Sequence, residues 1–120
     1  MISKVVKRKS NRERRKIRIR RKISGTKMTP RLSVFRSNRY VYGQLIDDTQ
    51  GATLISLGVE VKKLHKGVKK LEAAARCGEE LAKKAAQAKI TKAVFDRNGY
   101  RYTGRIAKFA EGARQGGLQF

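Results

Sequence analysis

Cysteine occurs once in the 120 residues, at Cys77, and histidine once, at His65. A single thiol forms no intramolecular disulfide, and one residue of each type falls short of the four paired ligands of a zinc finger, knuckle or ribbon. Tryptophan is absent, proline appears only at Pro30, and acids are scarce, 9 against 31 Lys+Arg. Apolar runs last a few residues, far below the roughly 18 of a membrane helix, and the basic N-terminus leads into no apolar signal segment. A cytoplasmic protein is therefore expected. Catalytic groupings are missing too: no acid pair, nucleophile–base pair or cofactor fingerprint stands out. Gly99 to Gly104 approaches a phosphate-loop spacing, but Arg105 and Ile106 stand where Lys and Ser or Thr are required. His65, with no visible Cys or Ser partner in a Lys-rich loop, reads as a surface residue, and Cys77, beside Ala74, Ala75 and Gly78, as a small core residue. The expectation is a protein that is not an enzyme, with no cofactor, no metal and no small-molecule substrate.

What the chain has is positive charge, +22 with a pI near 11.1. Self-repulsion of that size is tolerable beside a polyanion, of which nucleic acid is the usual one and anionic membrane the second. A membrane surface would call for an amphipathic helix with bulky apolar residues opposite its charges, and none is visible. The charge is uneven: residues 1–31 hold 14 Lys+Arg and one acid, with 8 apolar residues, whereas the other 89 hold 17 basic, 8 acidic and 39 apolar residues. Residues 1–30 therefore read as a basic arm and 31–120 as a single domain, long enough to bury about two-thirds of its unfolded surface.

In the arm, Ser10 followed by Glu13 is a capping-box pattern that opens a helix over about Asn11 to Lys22, with a stop near Gly25. Ile17, Ile19 and Ile23 make no continuous stripe, and Arg or Lys covers nearly every side. Such a helix lacks a face to bury, so the arm is expected to be mobile when free and to order against phosphates. A solvated basic tail is the competing reading, although such tails seldom carry a helix cap.

From Arg31 the pattern becomes period two. Runs at 31–36 and 39–47 flank Ser37-Asn38, which reads as a two-residue hairpin turn pairing Arg36 with Arg39 and Val34 with Val41. One face then carries Leu32, Val34, Val41, Gly43 and Leu45, and the other Arg31, Ser33, Phe35, Tyr40, Tyr42 and Gln44. Which face is the core is a contest: aromatics usually pack inside, but the helices offer mainly Ala and Gly, which suit a close aliphatic layer. That favours aromatics on the open face. Ala52 to Leu57 supplies a third strand.

Residues 68–88 switch to helical spacing through Val68, Leu71, Ala75, Gly78, Ala82 and Ala85, with Glu72–Arg76, Glu79–Lys83 and Glu80–Lys84 as (i, i+4) pairs. Ile90 to Asp96 reads as a fourth strand reached by a parallel crossover. A last helix, roughly Gly104 to Gln115, buries Ile106, Phe109, Ala110 and Ala113 and ends in a Schellman-like Gly116-Gly117-Leu118. The fold class is α/β: a mixed sheet of about four strands with two helices packed on one face, preceded by the basic helical arm.

The densest local constellation is Phe95-Asp96-Arg97-Asn98-Gly99-Tyr100-Arg101-Tyr102-Thr103-Gly104-Arg105. An Asn-Gly turn here interleaves arginines with two tyrosines, giving phosphate donors beside flat stacking surfaces. Splayed RNA bases stack on such rings, at roughly 1 to 3 kcal/mol per base. B-DNA offers no splayed bases, so an architectural, histone-like DNA-binding protein fits the arm but not this turn.

The motifs Arg31 to Asn38, Tyr42 with Gln44 to Asp48, Val94 to Arg97 with Gly99-Tyr100, Tyr102 with Gly104-Arg105, and the ending Gly117 to Phe120 resemble the bacterial large-subunit ribosomal protein L-eighteen family. The resemblance runs through essentially the whole chain, with departures at Thr29, Tyr40 and Thr103. It implies an α/β protein of the large ribosomal subunit that binds 5S rRNA in the central protuberance. It also implies attachment of that RNA to the large-subunit rRNA, beside neighbouring ribosomal proteins. Carried over by position, the RNA-contacting set is Arg12, Arg14, Arg15, Arg18, Arg20, Arg21 and Lys22 of the arm; Arg31, Ser33, Phe35, Arg36, Asn38, Arg39, Tyr40, Tyr42 and Gln44 of the hairpin; and Arg97, Tyr100, Arg101, Tyr102 and Arg105.

Overall fold

The structure, a computed structural model, describes residues 10–58 and 60–120. The first nine residues of the arm lie outside the described residues, as does position 59. Helix α1, Asn11–Lys22, opens with the expected capping box: Glu13 N–H donates to Ser10 Oγ at 3.1 Å, and Ser10 N–H to Glu13 Oε2 at 3.1 Å. Its end departs from expectation, since the chain turns extended at Ile23 rather than closing on Gly25. Gly25 is instead buried against the sheet, where a Cβ would lie 2.3 Å from the Arg31 backbone nitrogen.

Strands β1 (Arg31–Arg36), β2 (Val41–Asp47), β3 (Ala52–Leu57) and β4 (Val94–Asp96) form one mixed sheet in the order β3-β2-β1-β4. The hairpin register differs from the expected one. Arg36 pairs with Val41 and Val34 with Gly43, so the loop is Ser37 to Tyr40, four residues rather than two. A two-residue type I′ turn requires positive φ at both central residues, and neither Ser37 nor Asn38 has it. The loop closes instead by Ser37 N–H donating to the Tyr40 carbonyl at 2.8 Å and Tyr40 N–H to Ser37 Oγ at 3.2 Å. Because the slip is two residues, the side-chain parity survives. Leu32, Val34, Val41 and Leu45 are fully buried toward the helices, and the aromatics lie opposite.

Beyond β3 comes a short helix not expected from the sequence, α2, Val61–His65, then α3, Lys70–Gln87, and α4, Gly104–Gln115. Strand β4 runs parallel to β1, as the crossover requires, but begins only at Val94 because the Thr91 to Ala93 stretch pairs with Gln119 of the C-terminus. The buried face of α3 is rotated from the expected stripe: Ala73, Ala74, Cys77, Gly78, Leu81, Ala82 and Ala85 are buried, while Leu71 is 48% exposed. Of the three expected ion pairs only Glu72–Arg76 forms, at 3.0 Å, and Lys84 pairs with Glu60 instead. Helix α4 buries Ile106, Phe109, Ala110 and Ala113 and ends in a Schellman motif, Leu118 N–H to Ala113 O and Gly117 N–H to Arg114 O. Among the described residues no helix is long and apolar enough to cross a membrane.

His65 closes α2 half-buried rather than standing in a surface loop. Its Nδ1 lies 2.8 Å from the Val61 carbonyl and 3.8 Å from Cys77 Sγ, and its ring meets Tyr40 edge-on at 5.2 Å. Burial pushes the Cys77 thiol up to about 11, which leaves it protonated and inert in the core.

Helices α3 and α4 approach until their backbones touch, and glycine permits it. A Cβ on Gly78 would sit 2.1 Å from the Phe109 carbonyl oxygen, and one on Gly112 2.1 Å from that of Ala75. Two effects compete in Gly78→Ala: a helix-propensity gain of up to about 1 kcal/mol, and overpacking that typically costs about 1 to 3 kcal/mol. The obstruction is backbone and cannot swing aside, so overpacking wins. Urea unfolding of Gly78→Ala should show a net loss of stability; a gain would place the helices farther apart than described.

Candidate nucleic-acid interface

The sheet face opposite α3 and α4 divides into two halves with different chemistry. At one end lies a buried ionic cluster around Arg31. Its Nε and Nη2 donate to the two carboxylate oxygens of Asp48, each at 3.0 Å, and its Nη1 to Asp96 Oδ2 at 2.7 Å. The hydrogen bonds to Asp48 raise the Arg31 guanidinium above its usual value, and in return Arg31 holds the Asp48 carboxyl below the ordinary carboxylate value. Asp96 is wholly buried, and its Oδ1 accepts the Asn98 N–H at 2.9 Å. Asn98 also donates to Ser33 Oγ at 2.7 Å and the Val34 carbonyl at 2.9 Å.

Asn98 and Gly99, at φ +52° and +76°, are the centre of a tight turn closed by Tyr100 N–H on the Arg97 carbonyl. Positive φ at both positions is the type I′ geometry for which Asn-Gly is the preferred pair. Helix α1 seats on this turn. Arg15 Nε donates to the Gly99 carbonyl at 2.8 Å, Arg20 Nη2 to Asn98 Oδ1 at 3.1 Å, and Arg20 Nε reaches Asp96 at 3.5 Å. A side chain at Gly99 would run into the Arg12 carbonyl oxygen, 2.2 Å from its Cβ.

The other half is aromatic and partly open, with Tyr40, Tyr42 and Tyr100 half-buried. Phe35 is 46% exposed and lies 6.2 Å from Tyr42 and 6.3 Å from Tyr100, with Tyr40 a further 6.2 Å beyond Tyr42. Guanidinium groups flank the row: Arg12 stands 4.1 Å and Arg36 5.2 Å from the Tyr100 ring centre. Arg105 donates to the Ser37 carbonyl at 2.9 Å, which holds the start of α4 against the hairpin loop. Burial and the neighbouring Arg36 charge lower the Arg105 guanidinium, and burial with Arg20 and Arg12 lowers the Lys16 ammonium.

The sequence-derived set is therefore sorted by the fold. Phe35, Arg36, Tyr40, Tyr42, Gln44, Tyr100, Arg105 and Arg12 come together on or beside the open half, with Asn38, Arg39 and Arg101 exposed at its rim. Arg14, Arg18, Arg21 and Lys22 are exposed on α1. Arg31 and Ser33 are not offered to a ligand: they are 8% and 5% exposed and spend their polar groups internally. Arg15 and Arg20 fasten the arm, and Arg97 braces the turn on the Tyr100 carbonyl. Tyr102 leaves the face altogether, packing edge-on against Phe95, which stacks on Phe120. The roles of Asp48, Asp96 and Asn98 were missed. Only the Asn-Gly pair beside Asp96 hinted at them.

The fold and this surface define a small, strongly basic α/β protein with a partly open sheet face flanked by arginines. Residues 6–120 match the family described as ribosomal L18 of archaea, bacteria, mitochondria and chloroplast. The chain is 52% identical to the large ribosomal subunit protein uL18 of Lactiplantibacillus plantarum over 120 residues, the whole of both chains. It is 53% identical to that of Clostridioides difficile over 114 residues, 92% of this chain and 93% of the relative. Against that of Bacteroides thetaiotaomicron it is 55% identical over 108 residues, 88% and 90% of the two. The chain belongs to the ribosomal L18 family, and is a structural ribosomal protein rather than an enzyme.

The Arg31–Asp48 pair sets a direction for acid stability. Asp48 is depressed on folding, so its contribution is full above the ordinary carboxylate value of 3.8 and is lost as pH falls below it toward the folded value. Thermal melts of Asp48→Asn should accordingly show a shallower decline than the parent as pH drops below about 4. Parallel declines would show that Asp48 is not held by Arg31 in solution.

Proposed function

We propose that the protein belongs to the large ribosomal subunit, where it binds 5S rRNA and helps attach it to the large-subunit rRNA in the central protuberance, beside neighbouring ribosomal proteins. The observation that carries this reading is the aromatic half of the sheet face. Exposed Phe35 lies within about 6.3 Å of both Tyr42 and Tyr100, which are half-buried, and two arginines stand over the Tyr100 ring. Rings presented this way receive unpaired bases, while guanidinium groups take the adjoining phosphates. The basic arm supplies a second element. Helix α1 holds to the domain through a few polar contacts, so in the free protein it exchanges between docked and undocked positions and RNA holds it docked. The names of the uL18 relatives support the large-subunit placement.

A competition assay tests the reading: the purified protein against 5S RNA, a generic RNA duplex and DNA of equal length, at about 0.15 M salt. Charge alone binds the three alike, because phosphate contacts carry no sequence or shape. 5S RNA should win. Equal affinity for DNA would instead favour an architectural DNA-binding protein.

The two sheet faces give a separate test. Val34, fully buried, should lose roughly 1 to 3 kcal/mol of stability on truncation to Ala. Tyr42→Ala should weaken RNA binding by about 1 to 3 kcal/mol with little change in melting temperature. Equal melting losses for the two variants would mean that Tyr42 serves packing rather than RNA.

A further inference from the structure

Beside Tyr100 the arm, the end of β1 and the first turn of α4 enclose a cavity of about 330 Å³. Arg12, Arg15, Arg36, Arg101 and Arg105 line it together with Tyr100. No carboxylate lines it, and among the described residues none of these five arginines is ion-paired. Arg31, by contrast, is paired with two carboxylates. Five cations gathered without a counter-charge repel one another in the free protein. That arrangement is unfavourable unless an anion completes it.

Two further features sharpen the ligand. The Nε of Arg12 is buried without a partner, so a donor already removed from water waits for an acceptor. Stacking on the Tyr100 ring fixes the Arg12 and Arg36 planes, which lowers the ordering cost of each bond they make. The guanidinium groups belong to three separate elements, and a planar carboxylate fits one fork whereas a tetrahedral phosphate presents oxygens in several directions. The space holds one phosphate with several waters, each taking about 30 Å³.

We propose that this cavity is a site for a single RNA backbone phosphate, held jointly by the arm helix and the domain. The inference rests on the RNA-binding reading above and adds to it a defined pocket. One phosphate bridging Arg12 to Arg36 and Arg105 fastens the arm to the domain when RNA binds, in place of a general attraction spread over the arm.

The test uses the full chain, isotope-labelled and titrated with inorganic phosphate, read by NMR at the Gly104 and Arg105 amides and the Arg12 Nε–H. Saturable shifts at these positions are expected, with the dissociation constant raised about tenfold or more in Arg36→Gln and in Arg105→Gln. Lys108→Gln, which removes a charge from the exposed side of α4, should bind phosphate like the parent. Shifts that never saturate, or parental binding in Arg36→Gln, would overturn the site. For the RNA source, Arg36→Gln should lose about tenfold in 5S RNA affinity with an unchanged melt and reduce the salt slope by about 1. Undiminished RNA affinity and slope in that variant would overturn the assignment of the phosphate to RNA. Loss of the parent's preference for 5S RNA over DNA, by contrast, strikes the functional reading and leaves the phosphate titration standing.

Discussion

Arg31 is the residue on which the arrangement of the open sheet face depends. It starts β1 in the middle of the sheet, is 8% exposed, and joins Asp48 after β2 to Asp96 at the end of β4. Three segments far apart in sequence meet at one guanidinium. The Asp48 side-chain oxygen that receives Arg31 Nε also accepts the Gly25 N–H at 2.7 Å, so the linker from the arm is tied into the same cluster. Removing Asp96, whose side chain is wholly buried, leaves the Arg31 charge uncompensated in the interior, a loss on the order of 3 to 5 kcal/mol. The cluster therefore fixes where the arm enters and where the 97–100 turn stands.

That cluster also explains how so basic a chain divides its cations. Acids are few, and the structure commits buried Asp96 and the more exposed Asp48 to Arg31 on the sheet face. Glu72 and Glu111 pair within their own helices with Arg76 and Lys108, and Glu60 at the start of α2 pairs with Lys84 of α3. The arginines around Tyr100 receive none. Surface ion pairs contribute little to stability, so the distribution matters less for holding the fold than for what it leaves exposed. A buried neutralised half and an open cationic, aromatic half share one sheet face, and the type I′ turn at Asn98-Gly99 marks the border between them.

What the sequence made legible follows from which signals are local. The capping box at Ser10 and Glu13, the period-two alternation of β1 and β2, and the Gly-Gly-Leu end of α4 are each set by neighbours a few residues apart. The hairpin loop was misjudged in length, but an error of two residues preserves parity, so the aliphatic and aromatic faces were still sorted correctly. The stripe on α3 was misplaced for a different reason. This helix packs against both the sheet and α4, so its buried face is wide and centred on Cys77 and Leu81, and Leu71 falls outside it. Five residues of α2 are too few for periodicity to register.

The polar contacts were the least legible, because a pairing such as Arg31 with Asp96 spans 65 positions and leaves no spacing to read. Residue type alone then misassigned roles. Arg31, Arg20 and Arg36 look alike in the sequence, yet the first is a buried strut, the second ties the arm down, and the third stands free beside Tyr100. The deciding variable is the distance to a carboxylate, which only the fold sets. Where the fold supplies one, arginine becomes structure. Where it withholds one from several arginines around a stacking ring, the unmet charge is what remains available for a polyanion.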